Sequence, residues 1–229
     1  MVGMNNPVVL VTRPRADAQR FVEVLEHVAG PFEAVISPAF AYEQCKVEVP
    51  QFDSAVFTSK TGVTFAPVGN GRRAYCVGDA TAKAAQGAGY VAISADGSAE
   101  DLIALILEQK PSGVLSHLRG ETSRGDVSTR LTAAGFFCTD DVLYRKVWLP
   151  PMACVLDLDF AAGSVVIPLF SAETVSILAQ WPLSFAGCKV VAISDVVAHA
   201  ALELGPANIT VSDAPNMDSM AKKTARMIA

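Results

Sequence analysis

The sequence predicts an α/β protein built from two similar domains with parallel sheets, and three observations carry this prediction. Residues 76–89 return without a gap as residues 192–205, with the same Asp, three Ala residues and final Gly. A strand-like run ending in Phe and Ser precedes each copy, at 57–59 and at 169–171. Apolar runs alternate with helical patterns, which is typical of parallel sheets covered on both faces. Because the repeat period exceeds 100 residues, it indicates two domains rather than a solenoid.

Short apolar runs predict the strands, and each run is followed within two residues by Pro, Gly, Ser or Asp. In chain order these strands are 8–12, 33–36, 53–58, 74–77, 91–93, 114–118, 136–138, 165–169, 189–193 and 209–211. Two further segments, 40–49 and 142–149, are extended but mixed in character. We interpret these two segments as connectors between domains.

Helical spacing of apolar residues, with a capping residue in front, predicts the helices. The predicted helices are 18–28, 59–65, 80–86, 100–109, 124–134, 171–178, 196–204 and a last one after Pro215-Asn216. Ser59, Asp79, Ser98, Ser171 and Asp195 stand at or next to helix starts. In the last helix the methionines are expected to pack against the sheet.

The two connectors bracket the segment between them and therefore predict a discontinuous domain. Residues 43–143 form one α/β domain, and 1–38 with 151–229 form the other. Linker strands 39–42 and 144–150 are expected to pair antiparallel as a hinge. Two domains of this kind would enclose a cleft, which is where small-molecule sites commonly lie.

Composition excludes several classes of protein. Apolar residues make up 51% of the chain and charged residues 18%, so disorder is excluded. A net charge of -5 without any basic block argues against nucleic-acid binding. Apolar windows such as 102–107 are far too short to span a membrane, and no secretion signal is visible. The five cysteines lack metal-ligand spacing and are expected to be buried thiols of a cytoplasmic protein.

Ligands of open parallel sheets bind beyond the carboxyl ends of the strands. Hydroxyls, small residues and bases gather there, at helix starts whose free N–H groups attract anions. The candidates are Arg13, Thr58, Ser59, Lys60, Gly78, Asp79, Arg119, Gly120, Glu121, Ser171, Ser194 and Asp195. Ordinary N-capping is the alternative explanation for each Ser and Asp taken alone.

No standard catalytic motif is present. The sequence lacks the glycine-rich dinucleotide turn, the P-loop and the Gly-x-Ser-x-Gly elbow. Asp53 begins its strand rather than ending it, so it should face the wrong rim for a phospho-acceptor. His117 lies within a buried strand, where a hydrogen-bonded core histidine is the favoured interpretation over a catalytic base.

Short motifs along nearly the whole chain resemble the uroporphyrinogen-III synthase family. They are Val-Leu-Val-Thr-Arg-Pro at 9–14, Val-Phe-Thr-Ser at 56–59, Gly62-Val63 with Phe65, Cys-Val-Gly-Asp-Ala-Thr-Ala at 76–82, Leu-Arg-Gly at 118–120, Leu131 with Gly135, Val-Leu-Tyr-Arg at 142–145, and Phe170-Ser171. The resemblance implies two flavodoxin/Rossmann-like α/β domains joined by a two-stranded antiparallel linker, the first domain being discontinuous. It also implies closure of linear hydroxymethylbilane to uroporphyrinogen III, with loss of water and inversion of ring D.

The family resemblance also implies the site. Tyr144 would be the catalytic residue, donating a proton or hydrogen bond to the departing hydroxyl; a purely structural linker tyrosine is the alternative. Thr58, Ser59, Gly78, Thr81, Ser171 and Ser194 would contact acetate and propionate arms, and the cationic residues around the cleft would be Arg13, Lys60, Arg119 and Arg124. Such enzymes use no metal or organic cofactor. They act as cytoplasmic monomers on hydroxymethylbilane, with hydroxymethylbilane synthase as a transient partner and without nucleic acid or membrane.

One reading from a different class stays open at this stage. The same rims would suit a non-catalytic, two-domain small-anion binding or sensor protein. Isomer analysis of the cyclised product separates the two, because only the enzyme yields isomer III in excess over isomer I.

Overall fold

The computed structural model describes residues 7–123 and 125–228. The chain divides into two compact units. Unit 1 consists of Met1–Ala41 with Val147–Ala229, and unit 2 is Tyr42–Lys146. The chain therefore leaves unit 1 once, completes unit 2, and returns.

The described strands are β1 (Val8–Val11), β2 (Glu33–Ile36), β3 (Phe40–Gln44), β4 (Ser54–Phe57), β5 (Arg73–Cys76), β6 (Val91–Ser94), β7 (Val114–Gly120), β8 (Phe137–Trp148), β9 (Val165–Leu169), β10 (Lys189–Ala192) and β11 (Asn208–Val211). The described helices are α1 (Arg15–Ala29), α2 (Lys60–Phe65), α3 (Asp79–Gly87), α4 (Ala99–Gln109), α5 (Val127–Ala133), α6 (Ala153–Leu156), α7 (Ala172–Leu178), α8 (Asp195–Ala201) and α9 (Met217–Ile228). Single 3-10 turns at Phe160–Ala162 and Leu202–Leu204 complete this set.

Unit 1 contains a parallel sheet in the order β11-β10-β9-β1-β2. Counted along the chain, this is the flavodoxin-like order 2-1-3-4-5. Helices α1 and α9 pack on one face of the sheet, where Phe21, Leu25 and Met220 meet Val9 and Val191 in one buried cluster. The amphipathic spacing that predicted α1 therefore reflects a real core face.

Unit 2 contains a sheet in the order β3-β8-β7-β4-β5-β6. The strand pairs among β4 to β8 are parallel. Strand β3 runs antiparallel to β8, because the Cys45 amide donates to the Leu143 carbonyl while the Leu149 amide donates to that of Ala39. Without β3, the spatial order matches unit 1, but the chain enters at the middle strand. Unit 2 is thus a circular permutation of the unit 1 topology.

The repeated segment occupies equivalent positions in the two sheets. In unit 2 it spans the end of β5 and α3, and in unit 1 the end of β10 and α8. Ser59 and Ser171, which precede the two copies, both cap their helices in extended backbone geometry, with φ of -157° in each. The repeat in the sequence therefore corresponds to a strand–helix–strand–helix unit that occurs once in each sheet.

Three sequence-based boundaries are wrong. Strand β7 continues to Gly120, so Arg119 lies within the strand and not beyond it. Helix α5 begins at Val127 and not at 124, since Gly125 and Asp126 take positive φ values of 89° and 43°; Arg124 lies outside the described residues. The runs 136–138 and 142–149 belong to one strand, β8. The two aspartates between them, Asp140 and Asp141, do not end the strand, because neighbouring side chains donate hydrogen bonds to their carboxylates.

The cysteines differ in exposure, so the expectation of five buried thiols is wrong in part. Cys76 and Cys188 are buried, Cys45 and Cys138 are half-buried, and Cys154 is exposed. All five are free thiols. Burial raises the pKa of Cys76 and of Cys188 to about 12, so these two stay protonated near neutral pH.

Candidate functional site

The candidate site lies at the topological switch point of unit 2. Strands β4 and β7 are neighbours in the sheet, while their connections leave in opposite directions, and such points open a crevice at the carboxyl ends of the strands. A cavity of about 340 Å³ lies here. Its lining consists of Thr58, Ser59, Val77, Ala99, Arg119, Gly120, Thr122, Ser123 and Tyr144. Sequence-predicted residues from three strands thus meet in one cavity.

A register shift in β8 brings Tyr144 to this cavity. Arg119 pairs with Val142, but the next residue, Gly120, pairs with Tyr144, so one residue of β8 is bulged out. A side chain at Gly120 would place its Cβ 2.6 Å from the Tyr144 ring. The glycine is therefore needed for the tyrosine ring to lie against the strand.

Aromatic packing fixes the Tyr144 ring. The ring stacks on Phe65 with centroids 5.0 Å apart and meets Tyr42 edge-on at 5.3 Å. Only 9% of the residue is exposed. The phenol is thus the polar end of an otherwise buried side chain.

Ser59 connects the helix start to that phenol. Its Oγ accepts the Gly62 amide at 3.0 Å as the N-cap of α2, and it lies 3.2 Å from Tyr144 Oη. Because the Oγ lone pair already faces Gly62, the serine hydroxyl hydrogen can point to the tyrosine. The N-cap alternative and the site interpretation of Ser59 are therefore compatible.

Thr58 touches a buried histidine. Its Oγ1 lies 3.3 Å from His117 Nε2, and His117 is 1% exposed. On the other side of the ring, Nδ1 lies 3.2 Å from Asp140 Oδ1, but that contact lacks the alignment of a hydrogen bond. Burial lowers the pKa of His117, an effect that Asp140 opposes.

Arg119 is held by protein groups. Its Nε donates to Asp140 at 2.8 Å, a second donor reaches the other carboxylate oxygen, and Nη1 donates to the Gly120 and Glu121 carbonyls at 2.8 and 2.9 Å. Four of its five N–H donors are thereby used. The guanidinium shapes the turn after β7 and has little capacity left for a ligand.

Other predicted residues of unit 2 lie near the same edge of the sheet with differing exposure. Gly78 is the N-cap of α3 in extended geometry. Thr81 is buried, and its amide donates to the Gly78 carbonyl. Lys60 is exposed at the first position of α2. Of these three, Gly78 leaves the helix start most open to an anion.

The remaining predicted residues follow the adjacent strands β1, β9 and β10 of unit 1. Arg13 lies over the Phe170 ring at 4.2 Å and 3.5 Å from Asp17, and burial lowers its pKa. Ser171 caps α7 through the Thr174 amide. Ser194 makes no side-chain cap of α8. Arg13 and Ser171 stand at the switch point of unit 1, between β1 and β9.

Sequence reasoning missed the acidic side of the site. Asp140 contacts both His117 and Arg119, and Asp141 on the opposite face accepts from Ser116 and Thr139 at 2.7 and 2.6 Å. The sequence feature that could have pointed to these residues is a pair of adjacent aspartates within an extended segment. Parallel pairing then sets Asp140 beside His117, which no linear pattern reveals.

A larger cavity lies elsewhere, in unit 1. It measures about 890 Å³ and is lined mainly by residues of α1, β2 and α9, including Val28, Glu33 and Arg226. Because it lies at the amino end of the strands, away from every helix start discussed above, its size does not make it the site. Among the described residues no cluster of three His, Cys, Asp or Glu side chains could hold a metal ion.

A family model described as uroporphyrinogen-III synthase HemD matches residues 21–222. The chain belongs to the uroporphyrinogen-III synthase family. The match covers most of the chain, including every residue that lines the cavity at the β4–β7 switch point, whereas Arg13 precedes it. It confirms the resemblance found in the sequence and the assignment of the chain as an enzyme of tetrapyrrole biosynthesis, and it removes the anion-sensor reading.

Solved structures support the fold. Uroporphyrinogen-III synthetase from Helicobacter pylori matches with a TM-score of 0.59 and 14% identity, over 97% of this chain and 99% of that one. A mutant uroporphyrinogen III synthase from Thermus thermophilus gives a TM-score of 0.47 and 19% identity, over 97% and 98%. No curated protein sequence matches significantly. The first likeness confirms the predicted α/β fold with mostly parallel sheets. In residues 7–123 and 125–228, no helix has the length and apolarity needed to cross a bilayer.

Proposed function

We propose that this synthase closes hydroxymethylbilane to uroporphyrinogen III, and that the cavity at the β4–β7 switch point holds the reacting end of the substrate. The observation that carries the assignment to this cavity is the Tyr144 hydroxyl, 3.2 Å from Ser59 at a cavity wall formed by three strand ends. Membership of the family supports the reaction that we propose, and the geometry of the cavity supports its assignment as the reaction site.

The chemistry of the lining suits a polycarboxylate. The nine lining residues include four hydroxyl-bearing Thr or Ser side chains and the tyrosine, and no Asp or Glu. Helix starts at Ser59 and Gly78 add N–H groups and a partial positive charge. This local field favours carboxylate arms although the whole chain has a net charge of -5.

Tyr144 would assist the departure of the hydroxyl group. In the proposed arrangement the Gly62 amide donates to Ser59, Ser59 donates to Tyr144 Oη, and the phenol hydrogen points to the leaving oxygen. The C–O bond of the hydroxymethyl group breaks with its electron pair on oxygen, which takes the phenol proton of Tyr144 and leaves as water; the phenolate regains the proton that the cyclised product releases. The resulting azafulvenium cation is attacked by ring D.

The main task of the site is control of geometry. The substrate ionises readily and closes unaided to the symmetric isomer, so lowering the barrier alone is not enough. Holding the chain so that ring D reacts through its substituted carbon favours one path by orientation. A pre-formed cavity on a rigid sheet is suited to that task, and it explains why acid–base side chains are few.

The rim of unit 1 offers the same chemistry. Arg13, Ser171 and Ser194 follow neighbouring strands of its sheet, as Thr58, Ser59 and Gly78 do in unit 2. We propose this rim as a second anion-binding surface for carboxylate arms. The free thiols support a reducing, cytoplasmic setting, and the instability of the substrate favours transient contact with hydroxymethylbilane synthase.

The decisive experiment is an isomer assay. Porphobilinogen and hydroxymethylbilane synthase generate the substrate in place, and the cyclised products are oxidised and separated. With this protein present we expect isomer III in clear excess; without it, isomer I. A product mixture that the protein leaves unchanged would reject the proposed activity, whatever the protein binds.

A further inference from the structure

His117 occupies a position that the proposed mechanism does not use. It is a titratable side chain in the middle of β7, 1% exposed, with Nε2 3.3 Å from the Thr58 hydroxyl oxygen. Thr58 lines the cavity, whereas His117 does not. The imidazole can therefore act on a ligand in that cavity only through the threonine hydroxyl.

Charged groups surround the ring on its other sides. Asp140 of β8 lies 3.2 Å from Nδ1, and Arg119 pairs with the same carboxylate. Asp141 contributes a weaker field from β8. Beside the ring, a small cavity of about 150 Å³ towards α5 is also lined by Glu121 and Asp126. The half-buried Cys138 thiol adds no charge, because burial raises its pKa to about 11.

Asp140 and Thr58 together define two hydrogen-bonding states. In the neutral ring, the negative charge of Asp140, 3.2 Å from Nδ1, favours the hydrogen on that nitrogen even without an aligned hydrogen bond, so that Nε2 accepts the hydroxyl hydrogen of Thr58. The cavity then meets only the lone pairs of that hydroxyl, which repel a carboxylate. In the protonated ring, Nε2–H donates to Thr58, and the hydroxyl hydrogen is free to donate into the cavity.

We propose that His117 is a proton-linked positioning residue: a substrate carboxylate that binds against Thr58 draws one proton onto the imidazole. The inference rests on the proposed function, since it takes the cavity to be the binding place of a carboxylate arm. Asp140 and Arg119 then serve to hold the ring and to balance its charge. The arrangement forms one line from Asp140 through His117 and Thr58 to the ligand.

The free enzyme is poised for this uptake. Burial lowers the pKa of His117 in spite of Asp140, so the ring is neutral near pH 7 before binding. A carboxylate at the cavity adds a negative charge and a hydrogen-bond acceptor, and both favour the cation. Binding should therefore strengthen as the pH falls from 8 towards 6.

Two substitutions separate the roles of the two ring nitrogens. In His117→Gln the amide nitrogen stands near Nε2 and donates to Thr58 at every pH, whereas in His117→Asn the amide reaches only the Asp140 side. Wild-type KM for hydroxymethylbilane should fall with falling pH, by up to about tenfold per unit for one linked proton. His117→Gln should keep a low KM that does not change with pH. His117→Asn should have a severalfold higher KM. Both variants should keep kcat within a few-fold of wild type.

Two controls exclude a structural effect. Ser116→Ala removes a buried hydrogen bond from the same strand, but on the face that binds Asp141; His199→Gln removes an exposed histidine of α8. Both should keep the wild-type slope. Thr58→Val should lose it, because the hydroxyl that links the imidazole to the ligand is gone. The same pH slope in His117→Gln as in wild type would overturn the proposal.

A direct measurement leaves His117 and Thr58 unchanged, so it remains possible even where a variant at either position fails to fold. The chain has three histidines, and substitution of the exposed His27 and His199 assigns the third imidazole by elimination. NMR titration with and without uroporphyrinogen III under anaerobic conditions should show the His117 pKa raised by the product. An unchanged pKa contradicts the inference, while isomer III formation in the coupled assay would still uphold the function.

Discussion

The Tyr144 hydroxyl owes its position to small residues around it. Gly120 leaves the space that the ring occupies, and Ser59 holds the phenol oxygen from the start of α2. Phe65 and Tyr42 prevent the ring from swinging away. Individual atoms at strand ends, rather than a charged catalytic group, therefore define the reactive wall of the cavity.

Replacing Tyr144 by Phe tests the catalytic role at the residue scale. The ring packing stays, and only the donor to the leaving hydroxyl is lost. We expect kcat for isomer III to fall on the order of a hundredfold, the lower range for loss of a general acid. KM should change little, since the carboxylate arms are held elsewhere. Steady-state kinetics with the spontaneous rate subtracted measures both.

Tyr90→Phe is the matched control. It also removes one tyrosine hydroxyl from unit 2, one that donates to the Pro67 carbonyl at 2.6 Å away from the cavity. This variant should lose some stability and keep its turnover. Equal turnover in wild type and Tyr144→Phe would leave Tyr144 a structural residue of β8.

Helix α2 lies unusually close to the sheet, and this decides how near the site residues come to one another. A Cβ at Gly62 would lie 2.7 Å from the Leu118 carbonyl oxygen of β7. The glycine therefore permits close packing between the helix start and β7, the strand that ends at Gly120. At the scale of secondary-structure elements, this contact draws Ser59 towards Tyr144.

Two helical glycines in unit 2 give a paired prediction. Gly62→Ala should destabilise the protein by at least about 1 kcal/mol, because the clash with backbone outweighs the gain in helix propensity. Gly87→Ala, exposed in α3 with no atom within 4 Å of its Cβ, should stabilise it by about 0.5 kcal/mol. Urea denaturation of both variants measures the change. Similar shifts in the same direction would contradict the packing argument.

At the scale of the whole molecule, the two sheets share a spatial order but differ in chain order. Unit 1 is assembled from two separate segments, whereas unit 2 is continuous. Unit 2 has buried clusters on both faces of its sheet, around Phe57 and around Tyr75. A continuous segment of about 100 residues with its own core is of ordinary domain size.

We therefore expect residues 39–149, expressed alone, to fold. This segment keeps both ends of the β3–β8 pairing. Circular dichroism should show an α/β spectrum with cooperative thermal unfolding, while residues 7–41 alone should stay unfolded because their sheet partners lie in 147–229. A non-cooperative 39–149 segment would show that unit 2 depends on the rest of the chain.

The sequence by itself determined most of the strands and helices and the kinship of the two halves. These follow from local patterns: apolar runs, capping residues such as Ser59 and Ser171, and the repeat itself. It also pointed to Tyr144 and Thr58, through motifs that resemble a family. Such features depend on neighbours along the chain, which a sequence displays directly.

Only the tertiary structure decided which of those residues meet. The bulge in β8 that sets Tyr144 against Gly120, the binding of Arg119 by Asp140, and the contact of His117 with Thr58 join residues that are distant in sequence. Each depends on strand register, and a shift of one residue would send these side chains to the other face. Register is fixed by packing across the whole sheet, so it cannot be read from any one segment.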